Sequence, residues 1–484
     1  MGALTFIIYD ETYQIYNMKF TEGFLKMKEK GPDNTSYTIE HSQNINKISK
    51  DLLKMHLTRS ELATYLTHTF IYNYHRLSIN DESYDGHQPF EDPISHQVKW
   101  YPDLKSRPKR KLLCDGAIYN YAQLIESEEF SEKDIQSSCD VEVILPLYIK
   151  YGIEKTLNML NGDFSLVLTE NTNTFILKTM NIFCARDKRG VRPLWYINNV
   201  KNNFFMFTSD MISIPEFITN DKNYNITEVP PGTYWSYHNK NFTRYTDYAP
   251  LTKSISLSTK TDPQSLSIIY DNIKKLFCDA CSSRCYTGNF GILFDNRYLF
   301  DSYLLTSLML ECNKSNDNNI HIFFNVSEDE VSTSNRIAIY KTFITFLENK
   351  YNSSKLQFHI VVLQKNDIYS LNNKDNSDNE YECVFKYIKD NLKDINLKVL
   401  VSSVGFNDVW NNKLKGNYKN KNNSHGFEIR LPYLDENIIN YIRNLDTVLK
   451  EKRSYKANTK PVDKYIIRKS FDSDNVLPYE LLWN

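Results

Sequence analysis

A short apolar segment followed at once by a helical pattern constrains this chain more than any other feature. Gly291–Phe294 is typical of a buried strand, and the apolar residues after it follow at helical spacing, as Leu304, Leu305, Leu308 and Met309. Long helical patterns then alternate with three more apolar segments, which are His321–Val326, Phe358–Leu363 and Lys398–Ser402. Because such alternation is typical of a parallel sheet covered by helices, we predict an α/β domain over residues 265–484.

The loop between the first of these strands and its helix has an unusual composition. In α/β proteins this loop is where phosphates bind, because unpaired helix N–H groups point out of it. Residues 295–300 read DNRYLF, with a carboxylate at the start and no glycine. Bulky residues resist the close backbone approach that a phosphate requires. The position therefore favours an anion site, and the composition opposes one.

The first 246 residues predict a different architecture. Short β-like segments are frequent there, and long helical patterns are few, mainly Lys47–Leu66 and Val141–Tyr151. The predicted strands are Leu4–Tyr9, Phe70–Tyr74, Lys111–Cys114, Phe164–Leu168, Thr174–Lys178 and Phe204–Thr208. We predict an α+β domain of layered sheets over residues 1–246, and a linker rich in Ser, Thr, Lys and Pro over residues 247–264.

Composition excludes several classes of partner. The net charge is −1, so no global field attracts nucleic acid or an acidic membrane. No apolar segment approaches the roughly 18 to 20 residues that span a bilayer, and no secretory signal is evident. We therefore expect a cytoplasmic protein whose eight cysteines are reduced thiols.

Two local patterns favour structural interpretations. Cys278, Cys281 and Cys285 fall on one helical pattern without a fourth Cys or His nearby, which favours a packed helix face over a zinc site. Three polar tracts predict mobile surface loops, because they offer little to bury. They are Asn313–Asn319, Lys365–Glu380 and Asn411–Ser424.

Several short motifs are more specific than composition. The first domain contains GPD at 31–33, HRL at 75–77, GAIYN at 116–120, RDKRGVRPL at 186–194 and PPG at 230–232. The second contains SSVGFND at 402–408, HGFEIRLPYLD at 425–435 and KYIIRK at 464–469. In order and spacing these motifs resemble glutamine-hydrolysing asparagine synthetase, from the first residue of the chain to the last.

The resemblance implies a definite domain organisation. It implies a class II glutamine amidotransferase-like domain of the N-terminal-nucleophile type, followed by an ATP-pyrophosphatase-type synthetase domain. The family continues with Arg-Pro-Lys where this chain ends at Leu482-Trp483-Asn484, so we expect a synthetase domain that is truncated at its C-terminus. The segment Lys47–Leu66 would be a helical insertion, whose role the resemblance does not explain.

The glutaminase motifs of the family are only partly retained. The family uses an N-terminal cysteine as nucleophile, and Gly2 occupies that position here. The Asn and Glu of the family motif NGEIYN appear as Asp115 and Ala117, on either side of Gly116. Arg76 matches the arginine that would hold the glutamine carboxylate. Asp140 matches the aspartate that would hold the glutamine amine.

The ARDxxGVRPL motif of the family is retained at residues 186–194. We interpret Arg186, Asp187, Arg192 and Pro193 as residues that tie a turn to the sheet rather than as ligand contacts.

The synthetase motifs of the family are also degenerate. Of the pyrophosphate-binding motif SGGxDS only Asp301 and Ser302 remain. Of SGEGSDE the chain keeps Gly405 and an acidic Asp408, and it loses the three residues that become Val404, Phe406 and Asn407. Phosphoryl chemistry depends on the placement of metal and cations, so these losses predict that neither ATP nor magnesium is held.

Other matched residues allow structural interpretations. Lys464 and Arg468 match the lysine and arginine near the phosphates, but without the glycine loop we expect surface cations on a helix. The retained residues of the HGFEIRLPYLD motif predict packing and charge pairing rather than catalysis. They are His425, Glu428, Arg430 and Asp435.

Three hypotheses follow. The first is a pseudoenzyme without cofactor or metal, which has a structural or protein-interaction role as a subunit of a homo- or hetero-oligomer. The second is a residual asparagine synthetase that uses ammonia, ATP and magnesium. The third is a glutamine-binding sensor that uses Arg76 and Asp140 without hydrolysis.

Overall fold

The chain divides into two compact units in its computed structural model. The model describes residues 2–10, 17–41, 68–92, 108–172, 180–246, 263–333, 335–351, 353–363, 376–413, 426–456 and 459–483. The first unit comprises Met1–Asp247 and Gly416–Gly426, and the second comprises Tyr248–Lys415 and Phe427–Asn484. The predicted helix at 47–66, the strand at 174–178, the linker as far as residue 262 and His425 lie outside the described residues.

The first unit alternates many strands with few helices. Its strands are β1 (Gly2–Asp10), β2 (Asn34–His41), β3 (His68–Arg76), β4 (Phe90–Glu91), β5 (Pro108–Ile118), β6 (Gly162–Thr172), β7 (Met180–Arg186), β8 (Trp195–Asn199), β9 (Phe204–Thr208), β10 (Asn225–Glu228), β11 (Thr233–Ser236) and β12 (Asn241–Arg244). Its helices are α1 (Asn17–Leu25), α2 (Tyr121–Ser127), α3 (Ile144–Met159) and α4 (Glu216–Thr219).

Two antiparallel sheets build this unit. Among the described residues one sheet has the order β10-β8-β9-β1-β3-β2, and the other has the order β12-β11-β7-β6-β5-β4. The register of β1 against β3 places Gly2 opposite Arg76, and that of β5 against β6 places Asp115 opposite Ser165. The residues that match the glutaminase motifs therefore lie near the ends of β1, β3 and β5.

Alternating side chains pack the two sheets face to face and cover each outer face with a helix. The core between the sheets includes Leu4, Phe6, Tyr72, Leu113, Val167 and Trp235. On the outer face of the first sheet, Ile7 and Ile71 pack with Phe20 of α1. On the outer face of the second sheet, Leu112 and Leu166 pack with Leu147 of α3. This sandwich confirms the predicted layered α+β domain.

The second unit alternates helices with strands. Its strands are β13 (Phe290–Leu293), β14 (Ile320–Ser327), β15 (Leu356–Leu363), β16 (Val399–Ser402) and β17 (Glu428–Arg430). Its helices are α5 (Pro263–Ser282), α6 (Leu299–Cys312), α7 (Glu328–Thr333), α8 (Arg336–Lys350), α9 (Asn376–Asn391), α10 (Phe406–Trp410), α11 (Glu436–Asn444), α12 (Thr447–Lys450), α13 (Tyr465–Ser470) and α14 (Tyr479–Trp483).

A parallel sheet of order β15-β14-β13-β16-β17 forms the centre of this unit, as predicted. Leu293 at the end of β13 lies opposite Ser402 at the end of β16. The loops that follow these two strands therefore leave the same edge of the sheet. No helix of the described residues is both long enough and apolar enough to cross a membrane.

The prediction of a mobile surface loop at Asn313–Asn319 is wrong for two of its residues. Asn313 and Asn318 are buried, and the Asn313 amide donates a 2.6 Å hydrogen bond to Asn318 Oδ1. Asn318 in turn donates to the carbonyl oxygen of Gly288 at 2.7 Å. Paired amides satisfy one another and the backbone, so a polar tract can be buried without a large penalty.

Candidate functional site

Gly2, which occupies the nucleophile position of the resemblance, has no room for a side chain. A Cβ atom built on Gly2 would overlap the carbonyl oxygen of His75 on the paired strand β3. The obstacle is backbone within a sheet, which cannot move aside as a side chain could. A cysteine at this position would therefore force β1 and β3 apart.

Asp115 and Gly116 lie on β5 beside Gly2. The Gly2 amide donates a 3.1 Å hydrogen bond to Asp115 Oδ1, so the carboxylate holds the start of β1. Gly116 packs against the backbone of Asp163 and Phe164, and any larger residue would collide with it. Both residues thus have a structural explanation that requires no ligand.

Asp140, which matches the aspartate that would hold the glutamine amine, is buried and is held by this chain's own donors. Its Oδ2 atom accepts a 2.6 Å hydrogen bond from the amide of Ile118. Its Oδ1 atom accepts a 3.1 Å hydrogen bond from the Asn80 side-chain amide. The side-chain amide of Asn80 thus donates to the carboxylate oxygen that the ammonium group of a substrate would need to bind.

Arg76, which matches the arginine that would hold the glutamine carboxylate, is also engaged within the chain. Its guanidinium donates to the carbonyl oxygens of Ser83 and Asp81, at 2.6 and 2.5 Å. It also lies 3.4 Å from the Asp81 carboxylate. Burial tends to raise the pKa of Asp81, but hydrogen bonds from Ser83 and Ser138 and the charge of Arg76 hold that pKa below its usual value.

The buried residues of the RDKRGVRPL motif tie a turn to the sheet, as predicted. Arg186 donates to the carbonyl oxygens of Arg192, Gly190 and Val229 and pairs with Glu228 at 2.6 Å. The Asp187 carboxylate accepts hydrogen bonds from three backbone amides of the same turn.

In the second unit, Asp301 and Lys464 form a buried ion pair. Lys464 Nζ lies 2.5 Å from Asp301 Oδ2, and both side chains are at most 5% exposed. Burial raises the pKa of Asp301 above its usual value, and the charge of Lys464 opposes that rise. Asp301 Oδ1 is buried without a hydrogen-bond partner among the described residues.

Two aromatic rings complete the environment of the lysine. The Lys464 ammonium lies 4.8 Å from the ring centroid of Phe406 and 5.4 Å from that of Tyr298. Cation–π attraction adds to the ion pair at this distance. Tyr298 belongs to the glycine-free loop, and its hydroxyl accepts a 2.9 Å hydrogen bond from Asn407. The loops after β13 and β16 therefore close over Lys464.

The loop after β13 is closed by its own charged residues. Arg297 donates from Nε and Nη2 to the two carboxylate oxygens of Asp295, at 2.9 and 2.7 Å. This bidentate pairing is a strong form of ion pair. The Asp295 amide donates to Ser302 Oγ at 2.9 Å, and Ser302 Oγ lies 3.0 Å from Ser403 Oγ. A backbone amide and a serine hydroxyl of this loop thus already have partners.

The backbone conformation at Gly405 explains why glycine is retained there. Its φ is +92°, a left-handed conformation that L side chains rarely adopt, and a Cβ would lie 2.6 Å from Leu434 Cδ2. Asp408, three residues later in the first turn of α10, is half-buried. The retention of Gly405 therefore needs no nucleotide to explain it.

The prediction that Lys464 and Arg468 are surface cations is wrong. Both are buried, and Arg468 donates to the carbonyl oxygens of Leu482 and Asp463, at 2.5 and 2.9 Å. Its guanidinium also lies 4.0 Å from the ring centroid of Phe300. Burial lowers the pKa of Arg468 to about 10, and the charges of Asp301 and Asp463 oppose this.

Charge pairing of the HGFEIRLPYLD motif is confirmed for its described residues. Arg430 donates to the Glu428 carboxylate at 2.5 Å, and Asp435 accepts from Arg284 at 3.0 Å. All four are buried. These pairs lie in the interior and hold β17 and the segment after it to the end of α5.

Sequence reasoning missed the partners that fill these sites. Asn80, Asp81 and Arg297 belong to no motif of the resemblance, although their polar segments directly follow β3 and β13. That position, immediately after a strand that carries a matched residue, is the signal that could have drawn attention to them.

Comparison with known proteins finds relatives over most of the chain. Residues 35–268 match the model of the glutamine amidotransferase domain family. The chain is 25% identical over 510 residues to a probable glutamine-hydrolysing asparagine synthetase of Acanthamoeba polyphaga mimivirus, with 95% of this chain and 79% of that protein covered. It is 26% identical over 459 residues to the asparagine synthetase of Gallus gallus, with 85% and 75% covered. The chain is thus similar to asparagine synthetases over most of its length.

One solved structure shows a weaker similarity. A glutamine phosphoribosylpyrophosphate amidotransferase from B. subtilis, complexed with ADP and GMP, is 13% identical, with 74% of this chain and 81% of that chain covered and a TM-score of 0.35.

The residues present do not fit the ATP and magnesium that the asparagine synthetase family uses. Asp301 is engaged by Lys464, and Phe406 and Asn407 stand where the family has a serine and an aspartate. Among the described residues no group of three or more His, Cys, Asp or Glu side chains is placed to hold a metal ion.

Proposed function

We propose that this chain is a pseudoenzyme of the asparagine synthetase family with a structural or protein-interaction role. The proposal rests on one observation. The residues that match the family's ligand contacts are already paired with other side chains of the same chain. Asp140 pairs with Asn80, and Asp301 pairs with Lys464. A ligand would have to break these buried contacts, and breaking a buried ion pair costs about 3–5 kcal/mol.

Loss of the nucleophile supports the same proposal for the glutaminase reaction. Thioester formation requires a side chain at the position of Gly2, and the carbonyl oxygen of His75 fills that space. Cys114 does not substitute for it, because it is fully buried in β5 and burial raises its pKa well above the usual value. A buried neutral thiol is a poor nucleophile.

The remaining features of the proposal concern partners and surroundings. We propose that the protein acts in the cytoplasm as a subunit of a homo- or hetero-oligomer and that it needs no cofactor or metal. A net charge of −1 supports a protein partner over nucleic acid or a charged membrane surface. Size-exclusion chromatography with light scattering tests the assembly, and a monomer both in purified form and in its native extract would contradict it.

Two activity assays test the pseudoenzyme proposal on the purified full-length chain. Glutamate release from glutamine reports the glutaminase, and ATP–pyrophosphate exchange with aspartate reports adenylate formation. An active asparagine synthetase assayed in parallel is the positive control. We expect neither activity above the no-enzyme background, and exchange that depends on aspartate would overturn the proposal for the second unit.

A residual synthetase is the second candidate. Asp301, Ser302 and Lys464 still lie together at the carboxyl edge of the sheet, where ligands of α/β proteins bind. The same exchange assay, repeated with ammonia, separates the two candidates. A third candidate, the glutamine sensor, retains Arg76 and Asp140, but both have intramolecular partners.

A further inference from the structure

Exposed apolar side chains of the first unit gather on one face, around helix α1. Six large apolar residues there are between 36% and 76% exposed to solvent. They are Met18 and Leu25 of α1, Tyr37 and Ile39 of β2, and Met211 and Ile212 of the short helical segment Met211–Ser213. Among the described residues of the first unit, only Tyr84 and Val200 are further exposed residues of this kind. Because single apolar residues are normal on a surface but a contiguous group is not, this clustering marks an interaction surface.

Contacts on both sides of α1 make these residues neighbours. On one side Thr21 of α1 donates a 3.2 Å hydrogen bond to the Tyr37 hydroxyl, and Ile39, two positions later, lies on the same face of β2. On the other side Gly23 lies so close to Ser213 that a Cβ atom would overlap the Ser213 carbonyl oxygen. The helix and its two flanking segments therefore form one continuous surface, which we call the α1 face.

Charges of both signs alternate along the exposed side of α1. Lys19 and Glu22 of the helix are exposed, and so is Lys26, which directly follows it. A surface for nucleic acid or for an anionic membrane would instead carry a single sign of charge. Alternating signs fit a protein partner with the reverse order of charges, and an antiparallel copy of this same segment has that order.

We propose that the α1 face is the interface between two copies of this chain, with their α1 helices antiparallel across a two-fold axis. In such an interface the same patch of both copies meets itself, so each pair of contacting residues occurs twice. An axis that passes beside Leu25 places Glu22 of each copy opposite Lys26 of the other and brings the two Leu25 side chains together. Parallel helices would place Glu22 against Glu22, so the charges favour the antiparallel order.

A stable dimer needs more surface than α1 alone provides. The helix has 9 residues and is therefore about 13 Å long. A standard interface buries roughly 800 Å² on each partner. The exposed side chains of β2 and of the segment Met211–Ser213 extend the apolar contact on both sides of the helix. The inference rests on the proposed function only in that it specifies a second copy as the partner, and it does not depend on whether either reaction is catalysed.

A charge-swap experiment on the full-length chain tests the interface. Light scattering after size-exclusion chromatography gives the mass, which we expect to be twice the 57.0 kDa of one chain for the wild type. In E22K and in K26E each copy meets a like charge at two symmetric contacts, so we expect the dissociation constant of either dimer to rise at least about tenfold. An equimolar mixture of the two variants pairs opposite charges at both contacts, and we expect it to dimerise like the wild type.

Matched controls separate the α1 face from the rest of the surface. E132K reverses an exposed glutamate that follows α2, and Y84S removes an exposed apolar side chain outside the α1 face. Both variants should dimerise like the wild type, whereas L25D should weaken the dimer as E22K does. Circular dichroism establishes that each variant is folded, and recovery of the dimer on mixing shows the same for E22K and K26E.

Three results would overturn the inference. The first is a wild type that is monomeric even at its highest soluble concentration, which would leave the loss of catalysis to the two activity assays. The second is a wild-type dimer that E22K, K26E and L25D all leave intact, since the interface would then lie elsewhere while the oligomer of the proposed function would stand. The third is a mixture of folded E22K and K26E that stays monomeric, because the antiparallel pairing of Glu22 with Lys26 requires it to dimerise.

Discussion

The ammonium of Lys464 lies 2.5 Å from the carboxylate of Asp301, although 163 positions separate the two residues in the sequence. Asp301 belongs to the first turn of α6, where a negative charge is stabilised by the helix dipole. Lys464 precedes α13 in a left-handed conformation, with φ of 56°. The pair therefore joins the helix after the central strand to a segment near the end of the second unit.

Removal of the lysine charge should destabilise this unit strongly. We expect K464M to lower the free energy of unfolding by about 3–5 kcal/mol, because it removes the cation that is hydrogen-bonded to the buried carboxylate of Asp301. Urea denaturation monitored by circular dichroism measures the loss. The double variant D301N/K464M should recover part of it, since no uncompensated charge then remains.

A matched control is available five residues away. Lys469 forms an ion pair with Asp472 at 2.6 Å, but the Lys469 side chain is 35% exposed. Because exposed pairs contribute little, K469M should change the free energy of unfolding by less than about 1 kcal/mol. Equal losses in K464M and K469M would contradict the structural importance of the Asp301–Lys464 pair.

Restoring the missing nucleophile should not restore a glutaminase. We expect G2C to release no glutamate from glutamine, because the new Cβ would collide with the carbonyl oxygen of His75. The smaller G2A change should already lower the free energy of unfolding by about 1–3 kcal/mol, as overpacking of a well-packed site does. Glutamate production by a folded G2C protein would show that the sheet can accept the side chain.

Glutamine should not stabilise the wild-type protein. Because the Asn80 amide occupies Asp140 Oδ1, millimolar glutamine should leave the melting temperature unchanged in a thermal-shift titration. The N80A variant removes this amide and should show a measurable positive shift. N80A/D140N is the matched control and should show none, since it also lacks the carboxylate that would hold the amine. A shift in the wild type would favour the sensor hypothesis.

The sequence predicts the architecture well because the hydrophobic pattern is local. The strand predicted at Gly291–Phe294 is observed at Phe290–Leu293, and the helix predicted after it is α6. The apolar pattern identifies which segments are buried, and the alternation of strands with helices makes the sheet parallel. The motifs that match asparagine synthetase add one prediction that the hydrophobic pattern does not make. They predict that the layered sandwich of the first unit is of the N-terminal-nucleophile type.

The sequence could not predict which side chains from distant segments pair with each other. The charge of Lys464 favours the surface, and only the buried carboxylate of Asp301 makes its interior position stable. In the same way nothing near Asp140 in the sequence indicates that Asn80 will donate to it. Such contacts depend on how helices and strands pack in three dimensions. A motif identifies the matched residues only, and it gives no information about the residues outside the motif that pair with them.

Two neighbouring histidines should make the second unit sensitive to acid. His321 Nδ1 on β14 lies 3.0 Å from His359 Nε2 on β15. Burial, together with the charge of the nearby His359, lowers the pKa of His321 to about 4. Burial also lowers the pKa of His359. Both rings are therefore neutral in the folded protein at neutral pH.

The direction of the pH effect follows from proton linkage. An unfolded histidine binds a proton below pH 6.5, whereas folded His321 does so only near pH 4. Between these values the unfolded chain binds more protons, so stability falls as the pH falls from 6.5 towards 4. We expect His321 alone to account for about 1–2 kcal/mol of this loss between pH 6.5 and pH 5.

The H321Q variant should lose correspondingly less stability than the wild type when urea denaturation is compared at pH 7 and pH 5. H238Q removes an exposed histidine and should follow the wild type, and parallel pH profiles of wild type and H321Q would rule out the His321–His359 pair as the cause.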